Sequence, residues 1–411
     1  MTDGSTAGPA TPPAGQARAG RVVHVSDCFP PRVGGIESQV HDLAAAQARA
    51  GYDVHVLTAT ADPALPGGGR RAVTTTGDGV TVHRFASAVT LGLPFHPLED
   101  VLLPPVLREL GPDVVHVHAG VVSPFAYAGA RAARRLQLPL AITWHCMLDG
   151  VAPLYRAGAR LAGWDRADLA PSAVSGVAAR RVADVLAADD VAVVPNGLDV
   201  ASWVTQSVRA SLPPDGPLRV VATQRLAPRK RVLPLVQVIS RVHERLDRDG
   251  AGRPRVHLEL IGSGPLERVA RAEVARRGLE EVVTVAGRLP RTELAGRYAR
   301  EHVFLAPARL EAFGIAALEA RAAGLAVVAG RGTGISQFVT DGVDGLLTPD
   351  RADGLGDTAA DVELADALVR LATEDGLLAG ILEHNRAVPP RADWSDVIAA
   401  AAGLYAAARQ G

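Results

Sequence analysis

Val303-Phe304-Leu305-Ala306-Pro307 runs into Ala308-Arg309-Leu310-Glu311-Ala312-Phe313-Gly314, and then into Ile315-Ala316-Ala317-Leu318-Glu319-Ala320. An apolar run of strand length, a short loop and a stretch at helical spacing make one strand–loop–helix unit. Glu311 falls in the loop, Gly314 opens the helix, and Glu319 lies among Ala316, Ala317, Leu318, Ala320, Ala322 and Ala323. A carboxylate on an otherwise apolar turn must be paired or must meet polar groups of a ligand. Either Glu319 pairs with Arg321 or another arginine, or the two glutamates bracket a helix N-terminus that serves a ligand. Such a ligand would carry hydroxyls on both sides of a phosphate, with the phosphate on the amides of Phe313–Ile315.

The same unit recurs along the chain. Strands are expected at Arg21–Ser26, Asp53–Thr58, Val80–Phe85, Val114–His118, Leu140–His145 and Val191–Pro195, with helices such as Ile36–Ala50, Ser123–Leu136 and Ser175–Leu186 between them. After a polar segment with three prolines, residues 199–217, the alternation restarts. Its strands are Leu218–Thr223, Val256–Gly262, Val282–Ala286, Val303–Pro307, Ala326–Ala329 and Gly345–Thr348. This is an α/β pattern of two doubly wound, Rossmann-like domains in tandem, residues 21–198 and 218–390. Residues 1–20, rich in Ala, Gly, Pro and Thr, read as a disordered tail. Within 391–411, Val397, Ile398, Ala401, Leu404, Tyr405 and Ala408 form one apolar face of a final helix, and pattern alone assigns it equally to either domain.

Composition narrows the class. The chain has 411 residues, 48 % of them hydrophobic, enough for two cores. A formal net charge of −1 argues against a nucleic-acid binder that works by bulk electrostatics. Cys28 and Cys146 are too few for a disulfide framework and suggest a reducing cytoplasm. No Cys/His cluster has finger-like metal spacing. The first 20 residues lack the basic start and apolar core of a signal peptide, and no run of about 18 apolar residues offers a membrane span.

Lys230 is the only lysine among 43 basic side chains. A coding bias toward arginine spares lysine where a compact ammonium is needed and a wide guanidinium does not fit, although one lysine can also survive by chance. This one lies in Gln224-Arg225-Leu226-Ala227-Pro228-Arg229-Lys230, directly after Leu218–Thr223. A basic pair where a parallel strand gives way to a helix is a natural place to hold a phosphate. Gly262-Ser263-Gly264-Pro265 follows the next strand, where glycines let backbone approach a ligand or merely form a turn.

Arg225 with Lys230, the glycine-proline loop, and Glu311 eight residues before Glu319 resemble the donor site of the retaining glycosyltransferases of family four. The resemblance runs from about Arg21 to Tyr405 and implies the GT-B fold, two Rossmann-like domains facing a cleft. It implies an acceptor-binding first domain and a second that binds a nucleotide-diphosphate sugar, UDP- or GDP-linked. Arg225 and Lys230 would hold the diphosphate, Glu311 and the amides of Phe313, Gly314 and Ile315 the donor sugar, and Glu319 the ribose. Gly262, Gly264 and Arg288 belong to the same implied donor set, as do Gly34 and Gly35 in the family's glycine loop, Gly34-Gly35-Ile36-Glu37. His118 matches the family's active-site histidine, and strand alternation turns His116 to the same face. His145, ending the next strand, is placed on the acceptor side. Val194-Pro195-Asn196-Gly197-Leu198-Asp199 matches the family's hinge, with a tight Asn-Gly turn. Asp393-Trp394-Ser395 resembles the start of its closing helix, so that helix is expected to cross back onto the first domain. The implied reaction moves a hexosyl or N-acetylhexosaminyl group to a hydroxyl of a small-molecule, glycan or lipid-linked acceptor, with retention. It implies neither a cofactor nor a metal.

Arg231 stands where the family usually has glycine, adding charge near the diphosphate, and Gln337 stands where a glutamate is common. Asp247-Arg248-Asp249 spells a carboxylate pair of the metal-binding kind, but in a polar loop far from any strand end. Arginines 131, 134, 135, 156, 160 and 166 fit either a solvated basic face or peripheral contact with an anionic membrane. A nicotinamide dehydrogenase is disfavoured because Ser26–Gly35 lacks G-x-G-x-x-G spacing. A sugar phosphorylase or epimerase on the same fold would show phosphate dependence or need no acceptor. A sugar-nucleotide-binding regulator would be expected to lack Glu311, Lys230 or His118, and all three are present.

Overall fold

The computed structural model describes residues 19–410, except 33, 63–70, 88–89, 91–92, 162–163, 165–168, 207–215, 247–254 and 351–356. Asp247 and Asp249, Arg166, and nearly all of the expected tail lie outside the described residues. In the first half, β1 (Arg21–Ser26), α1 (Gly35–Arg49), β2 (Asp53–Thr58), β3 (Ala72–Thr75) and β4 (Thr81–Arg84) lead to α2 (Glu99–Leu110) and β5 (Val114–Ala119). Then follow α3 (Pro124–Arg135), β6 (Leu140–Trp144), α4 (Ala152–Leu161), β7 (Ala170–Ala173), α5 (Gly176–Leu186) and β8 (Ala192–Val193). Helix α6 (Val200–Gln206) opens the segment that precedes the second half. There β9 (Leu218–Thr223), α7 (Val232–Leu246), β10 (Val256–Ile261), α8 (Glu267–Arg276), β11 (Val283–Gly287) and α9 (Arg291–Tyr298) alternate. They continue into β12 (Val303–Ala306), α10 (Ile315–Ala322), β13 (Ala326–Gly330), β14 (Gly345–Thr348), α11 (Asp357–Thr373), α12 (Leu377–Ala387) and α13 (Trp394–Ala408).

The strands form two sheets, ordered β3-β4-β2-β1-β5-β6-β7-β8 and β11-β10-β9-β12-β13-β14. All pairings are parallel except β3 with β4, so each sheet is buried on both faces and its strands read as continuous apolar runs. Winding reverses between β1 and β5 in the first sheet and between β9 and β12 in the second. A doubly wound sheet binds ligands outside the carboxyl ends of its strands at such a point. In the second sheet β12 pairs with β9 only through Val303–Val220 and Phe304–Val221. The two strands therefore part from each other toward their carboxyl ends, where a crevice can open.

Helix α13 crosses back as expected. Its Val397, Ala401, Leu404, Tyr405 and Ala408 are buried in one cluster with Val22, Leu43, Val114, Ala141, Ala170 and Val194 of the first domain. The crossing is fastened where the chain leaves that domain. Gln39 brackets Gly197 with a donated bond of 3.1 Å and an accepted one of 3.0 Å, and the Leu198 amide donates to the Ala392 carbonyl. Gly197 is glycine for packing rather than for a left-handed turn. A Cβ there would lie 2.6 Å from the Trp394 indole.

Candidate active site

The loops at the second switch point carry the basic and acidic residues singled out in the sequence. Past β9, exposed Arg225 precedes a single 3-10 turn, Pro228–Lys230. Lys230 Nζ donates to Glu311 Oε2, bringing together two residues 81 positions apart, each about a quarter exposed. An ammonium and a carboxylate poised in a half-buried crevice can separate to meet a phosphate and a sugar hydroxyl, since each is already desolvated in part. Arg231 ends the turn in the left-handed region, φ 56°, a conformation that favours glycine. Its guanidinium turns to Asp361 at 2.7 Å, both side chains at most 10 % exposed. The charge expected near the diphosphate is thus neutralised on the far side of the loop.

Gly314 is also left-handed, φ 92°, and a Cβ on it would meet Ile335 at 2.5 Å. The residue therefore lets the chain turn sharply into α10, with the amides of Phe313–Ile315 at the opening of that helix. The first-domain glycine loop faces the same point. Helix α1 begins at Gly35, whose Cβ, if present, would lie 3.3 Å from Ile315 Cδ1. Two helix N-termini thus adjoin across the cleft. Gly262 and Gly264 serve the chain itself: a Cβ on either would strike the carbonyl of Gln224 or Leu226. They hold the Arg225 loop in place through the Ser263 carbonyl, which accepts from the Leu226 amide at 3.0 Å. Arg288, after β11, is exposed.

Glu319, 5 % exposed, is paired, though with Arg291 rather than Arg321. Arg291 Nε donates to Glu319 Oε1 at 3.0 Å, and its Nη1 donates at 2.9 Å to Asp42 Oδ2 on α1 of the other domain. Arg321 is committed elsewhere, to Asp344 and the carbonyls of Asn385 and Val388. Burial pushes the Glu319 carboxyl up to about 7, opposed by the Arg291 guanidinium. Arg291→Ala should therefore raise it further, because burial then acts unopposed. If a nucleotide needs the ionised carboxylate, its affinity in the variant will fall away at a higher pH than in the wild type. Calorimetric titrations from pH 6 to pH 9 check this, and an unmoved midpoint counts against it.

The histidines lie beyond the first switch point. His118 is 2 % exposed, and both of its ring nitrogens are taken, by His24 on β1 at 2.9 Å and by His145 at 3.0 Å. His116, on the same face with ring centroids 4.2 Å apart, meets Tyr405 at 2.9 Å and Thr143 at 2.7 Å. Burial drives His24 down to about 4 and His116 and His118 well below the usual range, so these imidazoles are neutral. Nitrogens of His24, His116 and His118 lie within 4.8 Å of one another, a spacing a metal ion could use. All of them are engaged in side-chain hydrogen bonds, so the group reads first as a hydrogen-bonded chain. His145 and His118 line a small cavity with Asn196 and Trp394. Burial pushes the Cys146 thiol, next to His145, up to about 12, opposed by the charge of Arg229 on the Lys230 turn, which sets the end of β6 and the basic turn in one neighbourhood.

Several of these residues escaped the sequence reading. Asp42, Arg291 and His24 become visible only when distant parts of the chain converge, and Tyr405, read in the sequence as one apolar position of the last helix, gains its hydroxyl's role the same way. His24 alone left a trace, at alternating register in β1 opposite His116. Gln337 reaches the first domain, its Oε1 accepting from the Gly176 amide at 3.2 Å, beside Ser175, whose Oγ donates to the Ala312 carbonyl.

Two Rossmann-like domains whose switch points face one cleft form the GT-B architecture, and comparison with known proteins assigns it to the glycosyltransferases. The profile of glycosyltransferase family 4 matches residues 33–202, and that of glycosyl transferases group 1 matches residues 205–368. A GDP-mannose-dependent alpha-mannosyltransferase of Mycolicibacterium smegmatis is 31 % identical over 80 % of this chain and 84 % of its own. A D-inositol 3-phosphate glycosyltransferase of Kribbella flavida is 30 % identical over 84 % of this chain and 83 % of its own. The solved structure of a sucrose-phosphate synthase from Thermosynechococcus elongatus superposes with a TM-score of 0.68 at 21 % identity, covering 94 % of this chain and 98 % of its own. The chain belongs to glycosyltransferase family 4.

Proposed function

We propose that this glycosyltransferase moves a hexosyl or N-acetylhexosaminyl group from a UDP- or GDP-sugar to an acceptor hydroxyl with retention of configuration. The observation that carries the reading is the Lys230–Glu311 pair beside the α10 N-terminus, with Glu319 one helical stretch further on. A departing diphosphate needs positive potential held in place, which Arg225, the amides of Phe313–Ile315 and Lys230, once parted from Glu311, would supply. Glu311 would receive hydroxyls of the donor sugar and Glu319 those of the ribose, displacing Arg291. With the diphosphate leaving from the face the acceptor enters, its own oxygen can take the acceptor's proton, so no side chain is assigned as nucleophile. The acceptor would enter from the first domain, on the side of His145.

Guanine receives support from the name of the mannosyltransferase relative. The test is thermal stabilisation by UDP, GDP and ADP. A nucleoside diphosphate at 100 times its Kd adds about 2.7 kcal/mol to the folded state, so the cognate base raises the melting temperature. No shift with any of the three rejects the reading. Peripheral membrane contact by the basic face is a weaker proposal. Arg131 forms a bidentate pair with Asp100, and Arg135 lies 3.9 Å from the same carboxylate, which consumes part of that charge. No described helix is long and apolar enough to cross a membrane.

A further inference from the structure

Eight side-chain hydrogen bonds run unbroken from the Ile142 carbonyl within β6, through the interior of the first domain, to His145 just past the end of β6, and their polarity can be derived from one end. The carbonyl of Ile142 can only accept, so Ser172 Oγ–H donates to it at 3.1 Å. A hydroxyl has one hydrogen, so Ser172 must in turn accept from Thr143 at 2.7 Å. Thr143, its hydrogen spent, accepts from His116 Nε2–H at 2.7 Å. A neutral imidazole has one N–H and one bare nitrogen, so His116 Nδ1 accepts from Tyr405 O–H at 2.9 Å. The Tyr405 oxygen accepts from Gln47 Nε2 at 2.8 Å, and Gln47 Oε1 accepts from His24 Nε2–H at 2.7 Å. His24 Nδ1 then accepts from His118 Nε2–H, and His118 Nδ1 from His145 Nε2–H. Every donor finds an acceptor, and the sequence of constraints forces all four histidines into the same tautomer.

We infer that Gln47 and Tyr405 are positioning residues that lock His118 and His145 as Nε2–H tautomers, leaving His145 Nδ1 as a bare hydrogen-bond acceptor. His118, with both nitrogens committed, acts through His145 rather than on a ligand through its ring nitrogens. His145 borders the small cavity shared with His118, Asn196 and Trp394, and a bare imidazole nitrogen can accept from a hydroxyl but has no hydrogen to give a carbonyl or ether. Tyr405 is supplied by the helix that crosses back from the second domain. Docking of α13 therefore completes the wire, joining the half anchored on Ile142 to the half that ends at His145. The catalytic consequence rests on the proposed transfer reaction. The tautomers themselves do not.

The wild-type full-length protein, labelled with 15N on its histidine rings, gives the first test. Protonated and bare ring nitrogens resonate far apart, so each tautomer is read directly. His24, His116, His118 and His145 should all carry hydrogen on Nε2 alone at neutral pH. Any of the four as an Nδ1–H tautomer or an imidazolium overturns the wire. In Tyr405→Phe the anchored His116 should keep its tautomer, whereas His24, His118 and His145, cut off from Ile142, should become mixed. Gln47→Met, which breaks the wire one residue further on, should do the same. Transfer in both variants should slow about five-fold, the equivalent of one hydrogen bond, with nucleotide affinity unchanged. Unaltered ring signals in both would show that Gln47 and Tyr405 only pack, even if the rate fell. Wild-type signals as described, with no transfer from any nucleotide sugar, would support the wire and reject the proposed reaction.

Discussion

Lys230→Ala will abolish measurable transfer. The change removes the ammonium from the phosphate turn and leaves Glu311 without the cation it meets in the unliganded site. A hydrogen bond to a charged group is worth about 1.5–3 kcal/mol, so nucleoside diphosphate binding weakens by one to two orders of magnitude. The loss in turnover is larger, on the order of 10²–10³-fold, because charge on the leaving diphosphate grows in the transition state. Lys230→Arg should also be poor. The turn Pro228–Lys230 directs a slender side chain into a crevice shared with Glu311, and a guanidinium needs more room than an ammonium. Steady-state kinetics decide the matter: full activity in the arginine variant would make the lone lysine an accident of composition.

Glu319→Ala and Glu311→Ala will separate. Glu319, assigned to the ribose, contacts a part that the free nucleotide retains, so its loss should weaken UDP or GDP binding about ten-fold or more. Glu311, assigned to the sugar, has no partner in the free nucleotide. Its removal releases Lys230 from an ion pair, so nucleotide affinity should hold or rise while turnover with the intact donor collapses. Calorimetry with the nucleotide and kinetics with the sugar nucleotide measure the two halves. Equal losses of nucleotide affinity in both variants would refute the division of roles.

The order of these elements was legible because a parallel sheet buried on both faces writes each strand as an apolar run. All six strands of the second sheet appear in the sequence within a residue or two of their bounds. β7 did not, since Ala170-Pro171-Ser172-Ala173 contains no β-branched residue, and it is fixed by its neighbours β6 and β8 instead. β3 is a short antiparallel edge strand with half its residues exposed, a pattern that loops share. The donor-side residues were legible because their chemistry conflicts with their surroundings: a lone lysine, a carboxylate in an alanine helix. The network from His145 to Tyr405 was not, because it is assembled from α1, β1, β5, β6, β7 and α13. Nor could the sequence show that Arg231 turns toward Asp361, since that depends on a left-handed φ at the end of one turn.

The central claim is that fixed cations and helix amides carry the leaving diphosphate while the acceptor enters on the same face. Proton NMR of the product formed in the presence of a chelator tests it most directly. The account predicts a product with the anomeric configuration of the donor, formed at a rate the chelator leaves almost unchanged. An inverted product, or turnover that returns only with magnesium or manganese, would contradict it, and the second result would turn attention to Asp247 and Asp249.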